Sequence, residues 1–462
     1  MHGPGKEDGQ AAKDLIGKAR RRVGRIAIPA STDPGGLTVN PALELVQTGE
    51  GLTLIWRHPG DGGVHAESAE SADILALKIV IENLDLGEVS RETELSEGRI
   101  YAILERGVER GLLLSPPSLI RRTDDFTRFP SWDDHLLVAD VFTLQWHITQ
   151  QCELSCRHCY DRSSRRATGW EESCRILEDF RSFCSSRFVR GQVSFSGGNP
   201  FLHPQFAEIY RKAAELGFAA AILCNPVSRS ELEKILAIRM PVYVQVSLEG
   251  LEEHNDHIRG NGHFRRTIEF LDLMREMKIP SEVMLTLTGE NIAQVLELGE
   301  LLRDRTDAFS CNRLASFGAG AELSLPAAGQ YRAFIDEYLK AMENNPVLAL
   351  KDNLFNIALE RRGGGLFGGC AGYGCGAAFN FVALLPDGEV HACRKFPSYL
   401  GNMNESPLAE IYDSQAAARY RSGSAGCAEC RLRAVCRGCP AVTAGLGQDP
   451  ALVRDPFCFR EG

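Results

Sequence analysis

The chain has 462 residues, 44% of them hydrophobic and 24% charged, and a formal net charge of −10. An acidic balance argues against a nucleic-acid partner, which needs a basic footprint, and no apolar run approaches the roughly 20 residues that span a bilayer. The N-terminal stretch has three arginines at 20–22 and no apolar segment of secretory type, so the expectation is a cytoplasmic protein of about two to four domains.

Residues 1–36 mix charge with glycine and read as a loosely docked arm. Between 37 and 120, LeuThrLeuIleTrp at 52–56 alternates like a strand and 73–81 has helical spacing. Residues 90–113 read as a short helix, a turn and a second helix ending at the Gly111 stop. Two strands followed by three helices outline a small winged helix-turn-helix. The polar stretch 121–139 reads as a linker.

From 140 to 322 strand and helix patterns alternate. Strands are expected at 142–148, 192–196, 220–224, 242–248, 283–287 and 309–314, and helices at 170–184, 204–216, 230–238, 263–277 and 291–303. Six consecutive βα units predict an α/β fold, a partial (β/α)6 barrel, with ligands at the carboxyl ends of its strands. Residues 323–369 read as connecting helices and 370–462 as a cysteine-rich module of short strands and glycine turns.

The fifteen cysteines are the main anomaly. In a reducing compartment a disulfide framework is not expected, which leaves metal ligation as the leading reading. They are unevenly spread: Cys152, Cys156 and Cys159 fall in eight residues, and eight more lie between Cys370 and Cys458. Three thiolates on one loop can hold three irons of a 4Fe–4S cube and leave the fourth iron open. The three-then-two spacing of Cys152, Cys156 and Cys159, directly after a strand that opens a run of βα units, resembles the radical S-adenosylmethionine (SAM) enzymes. In that family SAM chelates the open iron and is split to a 5′-deoxyadenosyl radical, which makes these cysteines the catalytic and metal-binding set.

The resemblance extends over 140–322. SerPheSerGlyGlyAsnPro at 194–200 is similar to the family's Gly-Gly-Glu segment, which implies that Gly197 and Gly198 let backbone approach the methionine moiety. Asn199 stands where the family has Glu, and its carbonyl is expected to accept from the SAM ammonium. ValSerLeuGluGly at 246–250 and HisAsnAspHisIleArgGly at 254–260 resemble the family's Ser-Leu-Asp-Gly and Arg-Gly stretch. This implies SAM contacts from Ser247, Glu249 and Arg259, with His158 near the adenine. Asn225 and Arg313 are weaker candidates, for which packing is the default.

In the tail, Cys370 and Cys375 are followed by an AspGly turn at 387–388, then Cys393, Cys427, Cys430, Cys436, Cys439 and Cys458. This order resembles the SPASM module, with one gap, between Cys436 and Cys439, a residue shorter than the common form. The resemblance implies two auxiliary 4Fe–4S clusters, one on Cys370, Cys375, Cys393 and Cys439, the other on Cys427, Cys430, Cys436 and Cys458, and so three clusters in all. Zinc ribbons are the competing reading of the CysXXCys pairs. Cys174, Cys184 and Cys311 read as core residues, and Cys224 as packing at the sheet's mouth.

The segment 37–120 is also similar to the pyrroloquinoline quinone chaperone-like fold, a recognition element for leader peptides. That module beside a SPASM tail implies a maturase of ribosomally made peptides, of selenobiotic or thioether type, that abstracts hydrogen from a precursor peptide and forms a C–S or C–C cross-link. A flavodoxin or ferredoxin is the expected reductant, with no nucleic acid and no membrane among the partners. Anaerobic sulfatase maturases share the architecture but usually carry an Asp base where this chain has Arg394, which cannot act as a base at neutral pH. A non-catalytic Fe–S redox or regulatory protein is the alternative from another class.

Overall fold

The computed structural model describes residues 37–460 apart from 49–50, 61, 83, 116–117 and 127–135. The arm expected at 1–36 and the middle of the linker lie outside the described residues. At the N-terminal end, β1 (Thr38–Val39) pairs antiparallel with β5 (Leu113–Leu114). Between them, β2 (Glu44–Thr48), β3 (Gly51–Arg57) and β4 (Val64–Ser68) form an antiparallel sheet in that order. Helices Ser71–Glu82, Leu86–Thr93 and Glu97–Glu109 follow, the last two capped by Asp85 and Ser96 side chains that accept from Glu88 N and Arg99 N. Leu54 and Trp56 of β3 pack on Ala76, Ile79, Ile100 and Leu104, a core separate from the main one. The meander has three strands rather than the two expected. β4 is exposed at four of its five positions, so its sequence carries no apolar alternation to read.

The main sheet contains β6 (Val141–Thr149), β7 (Arg190–Gly197), β8 (Ala219–Leu223), β9 (Val244–Ser247), β10 (Ser281–Leu287) and β11 (Ala308–Arg313), parallel and in sequence order. Each falls within two residues of its expected span. Helices Trp170–Ser186, Phe206–Glu215, Arg229–Leu236, His263–Glu276 and Val295–Leu302 connect them. A further helix, Glu252–Arg259, covers a stretch read only as a motif.

The strand sequences explain the layering. Leu144, Trp146, Val193, Phe195, Val244, Val246, Leu285 and Phe309 are fully buried on one face, against the helices. Alternate residues point the other way, and these are polar: Gln145 and His147 lie in register with Ser194 and Ser196, and Thr286 with Asn312. The parallel sheet therefore has an apolar outer face and a polar inner one.

The sheet does not stop at β6. β12 (Phe381–Leu384) pairs parallel to β6, and β13 (Glu389–His391) and β14 (Tyr399–Asn402) continue it antiparallel. The cysteine-rich tail thus begins as three more strands of one nine-stranded sheet. Among the described residues no helix is long and apolar enough to cross a membrane.

Candidate functional site: three cysteine sets beside a polar sheet face

The Cys152–Cys159 loop leaves the carboxyl end of β6 and is held at its base by the end of β7. Gly198 N donates to Thr149 O at 2.9 Å and Asn199 N to Gln151 O at 2.7 Å. A Cβ on Gly197 would lie 2.0 Å from Thr149 O, and one on Gly198 2.0 Å from Gln151 O. These glycines are therefore required by backbone packed against backbone under the cysteine loop, before any approach to a ligand is considered. The Cys152 and Cys156 thiols are raised above their ordinary values by burial, and both have Cys159 as an electrostatic neighbour.

Glu249, buried, anchors the other side of this loop. It accepts from Arg259 Nε at 2.9 Å, Arg259 Nη2 at 2.6 Å and Thr286 N at 2.8 Å, with His158 Nε2 at 3.3 Å. Burial opposes the Glu249 charge, but His158, Arg259 and the Thr286 N–H outweigh it and hold the carboxyl below its ordinary value. Burial lowers His158 to about 4, against the pull of Glu249. Arg259 Nη1 reaches Cys156 Sγ at 4.0 Å, and Asn225 Nδ2 lies 3.5 Å from Cys152 Sγ. His158, Glu249 and Arg259 are thus brought together with the thiol loop. Ser247 stands on the inner face in register with Met284.

Asn199 is occupied differently from the expectation. Its Oδ1 accepts from Phe201 N at 3.3 Å, capping the short turn Pro200–Leu202. Its Nδ2 donates to Glu153 Oε1 at 3.0 Å. Glu153, an exposed carboxylate inside the cysteine loop, was not singled out in the sequence; its position between Cys152 and Cys156 was the available signal. Arg313 is buried in an ion pair with Asp352 and Asp455, in keeping with the packing default.

The structure brings tail cysteines near one another in two places. Cys375 has Cys439 as an electrostatic neighbour, Cys393 has Cys439 and Cys375, and Cys370 has Cys375. Cys427, Cys430, Cys436 and Cys458 line one cavity, together with Arg433, Arg437, Arg454 and Arg460. Burial pushes Cys393 up to about 12 and Cys427 to about 11. No disulfide joins any of the fifteen cysteines. Among the described residues no three His, Cys, Asp or Glu side chains close on one point as a single ion requires; a four-iron cube takes each thiolate on a separate iron and tolerates the wider spacing.

Between the first set and the tail, Tyr160 OH lies 3.3 Å from His147 Nε2 and counts both Cys159 and Cys393 among its electrostatic neighbours. Arg394 Nη1 reaches Ser196 Oγ at 3.2 Å, so it joins the polar inner face. Of the isolated cysteines, Cys184, Cys224 and Cys311 are buried, but Cys174 is only half-buried. That corrects the expectation of a core residue: the buried face of its helix runs through Ser173, Ile176, Leu177 and Phe180.

Residues 146–302 match the Radical SAM superfamily, and residues 375–440 match SPASM, an iron–sulfur cluster-binding domain. The chain carries a Radical SAM domain followed by a SPASM domain. It is 28% identical over 280 residues to the antilisterial bacteriocin subtilosin biosynthesis protein AlbA of Bacillus subtilis, a match spanning 58% of this chain and 59% of AlbA, less than two thirds of that relative. It is 25% identical over 401 residues to Fe-coproporphyrin III synthase of Methanosarcina barkeri, spanning 75% of this chain and 94% of that protein. Streptococcus suis SuiB bound to S-adenosylmethionine shares the fold, with a TM-score of 0.57, 18% identity, and coverage of 92% of this chain and 100% of SuiB. The donor sets suit what this superfamily carries. Three thiols on an open loop fit a cluster with one free iron, and four thiols in a cavity walled by four arginines fit an anionic, fully ligated one.

Proposed function

We propose that this radical SAM/SPASM enzyme matures a ribosomally made precursor peptide, abstracting hydrogen from a peptide carbon and closing a C–S or C–C cross-link. The observation that carries this reading is one three-thiol loop at the carboxyl edge of a parallel sheet, joined through that same sheet to two four-thiol sets. Three 4Fe–4S clusters are the corresponding load, on Cys152/Cys156/Cys159, Cys370/Cys375/Cys393/Cys439 and Cys427/Cys430/Cys436/Cys458. When bound, they supply the electron that splits SAM and a sink for the electron that the substrate radical gives up. The chain's own residues do the positioning. Arg259, fixed by Glu249, holds the loop at Cys156, and Ser196, Ser247, His147 and Arg394 line a polar floor on which SAM and a peptide side chain meet. Neutral His147, lowered by burial to about 3, keeps that floor free of an acidic proton.

Residues 37–120 act in this reading as a winged-helix leader-recognition element. β4, exposed and at the edge of its three-stranded sheet, is where an extended peptide would add as a further strand. The kinship with AlbA and the shared fold of SuiB, also solved bound to its precursor peptide SuiA, support a peptide substrate. A flavodoxin or ferredoxin serves as reductant in the cytoplasm. The longer match to Fe-coproporphyrin III synthase favours a second reading, a tetrapyrrole substrate.

The test is anaerobic incubation of the reconstituted enzyme with dithionite, SAM and the short peptides encoded beside its gene, with an iron tetrapyrrole that still carries the side chains lost on the way to coproporphyrin in a parallel arm. The expected result is 5′-deoxyadenosine together with a peptide lighter by two hydrogens. Porphyrin turnover with untouched peptide overturns the peptide reading.

A further inference from the structure

Beside the two tail sets lie three guanidinium groups that share, among the described residues, a single carboxylate partner. Arg122, Arg433 and Arg437 are 6%, 9% and 6% exposed. They surround the Phe126 ring at 5.1, 4.0 and 5.5 Å, and Arg122 also stacks over Phe379 at 3.5 Å. Among the described residues the carboxylate that pairs with them is Asp125, 2.7 Å from Arg433 Nη1. Their other hydrogen bonds go to carbonyls: Tyr373 O and Cys375 O from Arg122, Ser422 O from Arg433, and Arg421 O from Arg122 and Arg437. Among the described residues, the Nε–H of all three and Nη2 of Arg437 are buried without a partner.

Like charges buried together are costly unless opposite charge accompanies them. The thiols supply its location. Arg437 has Cys375 of the first tail set, and Cys436 and Cys427 of the second, as electrostatic neighbours; Arg122 has Cys375. Arg437 also sits at φ 62, a left-handed conformation that non-glycine residues rarely adopt, in the two-residue gap between Cys436 and Cys439.

We propose that Arg437 is a counter-charge shared by both auxiliary clusters, its unpartnered N–H groups serving their anionic sulfurs, with Arg122 backing the first set and Arg433 the second. This rests on the cluster-bearing reading above. A buried cation beside a cluster stabilises the reduced, more negative state, so the trio raises both auxiliary potentials. The Cys152/Cys156/Cys159 site has Arg259 instead.

The experiment is a redox titration of the reconstituted holoenzyme followed by EPR, on wild type, Arg437→Gln, Arg437→Lys and Arg433→Gln. Arg437→Gln is expected to lower the midpoints of both auxiliary signals by about a tenfold change in reduction equilibrium, about 59 mV for one electron. The SAM-perturbed signal stays in place, and Arg437→Lys recovers most of the shift. Unmoved auxiliary midpoints in fully loaded Arg437→Gln overturn the proposal. Should that variant load poorly, Arg433→Gln decides by the same criterion at the second tail set. Zinc in place of iron in the tail sets of wild type overturns the cluster reading itself, before any midpoint is measured.

Discussion

Arg313, the last residue of β11, grips Asp455 through Nη1 at 2.8 Å and Nη2 at 2.6 Å, across 142 residues of chain. Its Nε also donates to Asp352 at 2.8 Å. Asp455 in turn accepts from Cys439 N at 2.8 Å and Phe457 N at 2.9 Å, and its backbone carbonyl accepts from Cys458 N at 2.9 Å. A member of each tail cysteine set therefore hangs from one aspartate, and a single arginine of the parallel sheet fixes that aspartate. The register between sheet and tail is set by a buried ion triad.

Such a triad adds little net stability, but breaking it is expensive, because the partners are left charged and dry. Arg313→Met strands Asp352 and Asp455 and is expected to cost about 3–5 kcal/mol, read as a lower denaturation midpoint. Iron content should fall with it, from the tail sets first. Arg313→Lys should not restore either quantity, since one ammonium cannot replace a planar fork held by two carboxylates.

Replacing Cys152, Cys156 and Cys159 together by Ala should remove about a third of a load of about twelve irons and abolish 5′-deoxyadenosine formation. The auxiliary EPR signals should survive. Iron near four per chain in the wild type, with zinc making up the rest, would falsify the count of three clusters.

Much of this was legible in the sequence because local pattern and tertiary role coincide. Strands such as 190–197 and 281–287 alternate apolar and polar residues because their two faces meet helices and a polar interior. The cysteines stand out by their uneven grouping, three within eight residues and eight in the tail, and their division into sets came from the resemblance. What was not legible depends on partners far away in the chain. Gly197 and Gly198 answer to Thr149 and Gln151, Asn199 answers to Glu153, and Arg122 bonds to Tyr373 and Cys375 some 250 residues on. No periodicity records such pairings. β4 was missed for the opposite reason, being exposed and so free of hydrophobic pattern.

The Asn199–Glu153 contact makes a charge-swap prediction. Asn199 is 2% exposed and Glu153 faces solvent, so Asn199→Glu sets a second carboxylate against Glu153 in a half-buried site, with an expected loss of about 1 kcal/mol and weaker SAM binding. Adding Glu153→Gln restores the amide–carboxylate pair with its members exchanged. Equilibrium dialysis with SAM and thermal melts on the two single variants and the double should show the double near wild type. Additive losses would mean that the two side chains act independently.

Acid sensitivity follows from the buried histidines. His263, packed against Asn255 Nδ2 at 3.1 Å, is lowered by burial to about 3, well under the roughly 6.5 of an unfolded chain. Below pH 6.5 the unfolded chain takes up a proton that the folded one refuses, so stability is full above that pH and drains as pH falls toward 3. Between pH 6.5 and 5 this amounts to about 2 kcal/mol for one such histidine. Denaturation midpoints of His263→Gln should therefore fall less steeply over this interval than those of wild type, whatever the variant's stability at pH 7. Parallel curves would place the acid sensitivity elsewhere.

The final prediction concerns the N-terminal module. Its core of Leu54, Trp56, Ile79 and Ile100 is separate from the main one, and an ion pair at 2.7 Å between Glu44 and Arg181 bridges it to the helix Trp170–Ser186. Deleting residues through 115 should therefore leave the thiol loop, Glu249 and Arg259 in place, and SAM cleavage without substrate should persist. Modification of a full-length precursor should drop sharply, because a leader held on β4 raises the local concentration of the reacting segment, to about the millimolar range for a short tether. Modification of a leaderless core peptide, supplied at high concentration, should be nearly equal in the two proteins. Equal turnover of the full-length precursor by the intact and truncated enzymes would remove the module from substrate recognition. Loss of uncoupled SAM cleavage on truncation would instead give it a structural role toward the parallel sheet. Titration of labelled precursor against both proteins separates these outcomes, since leader affinity should be present only in the intact chain.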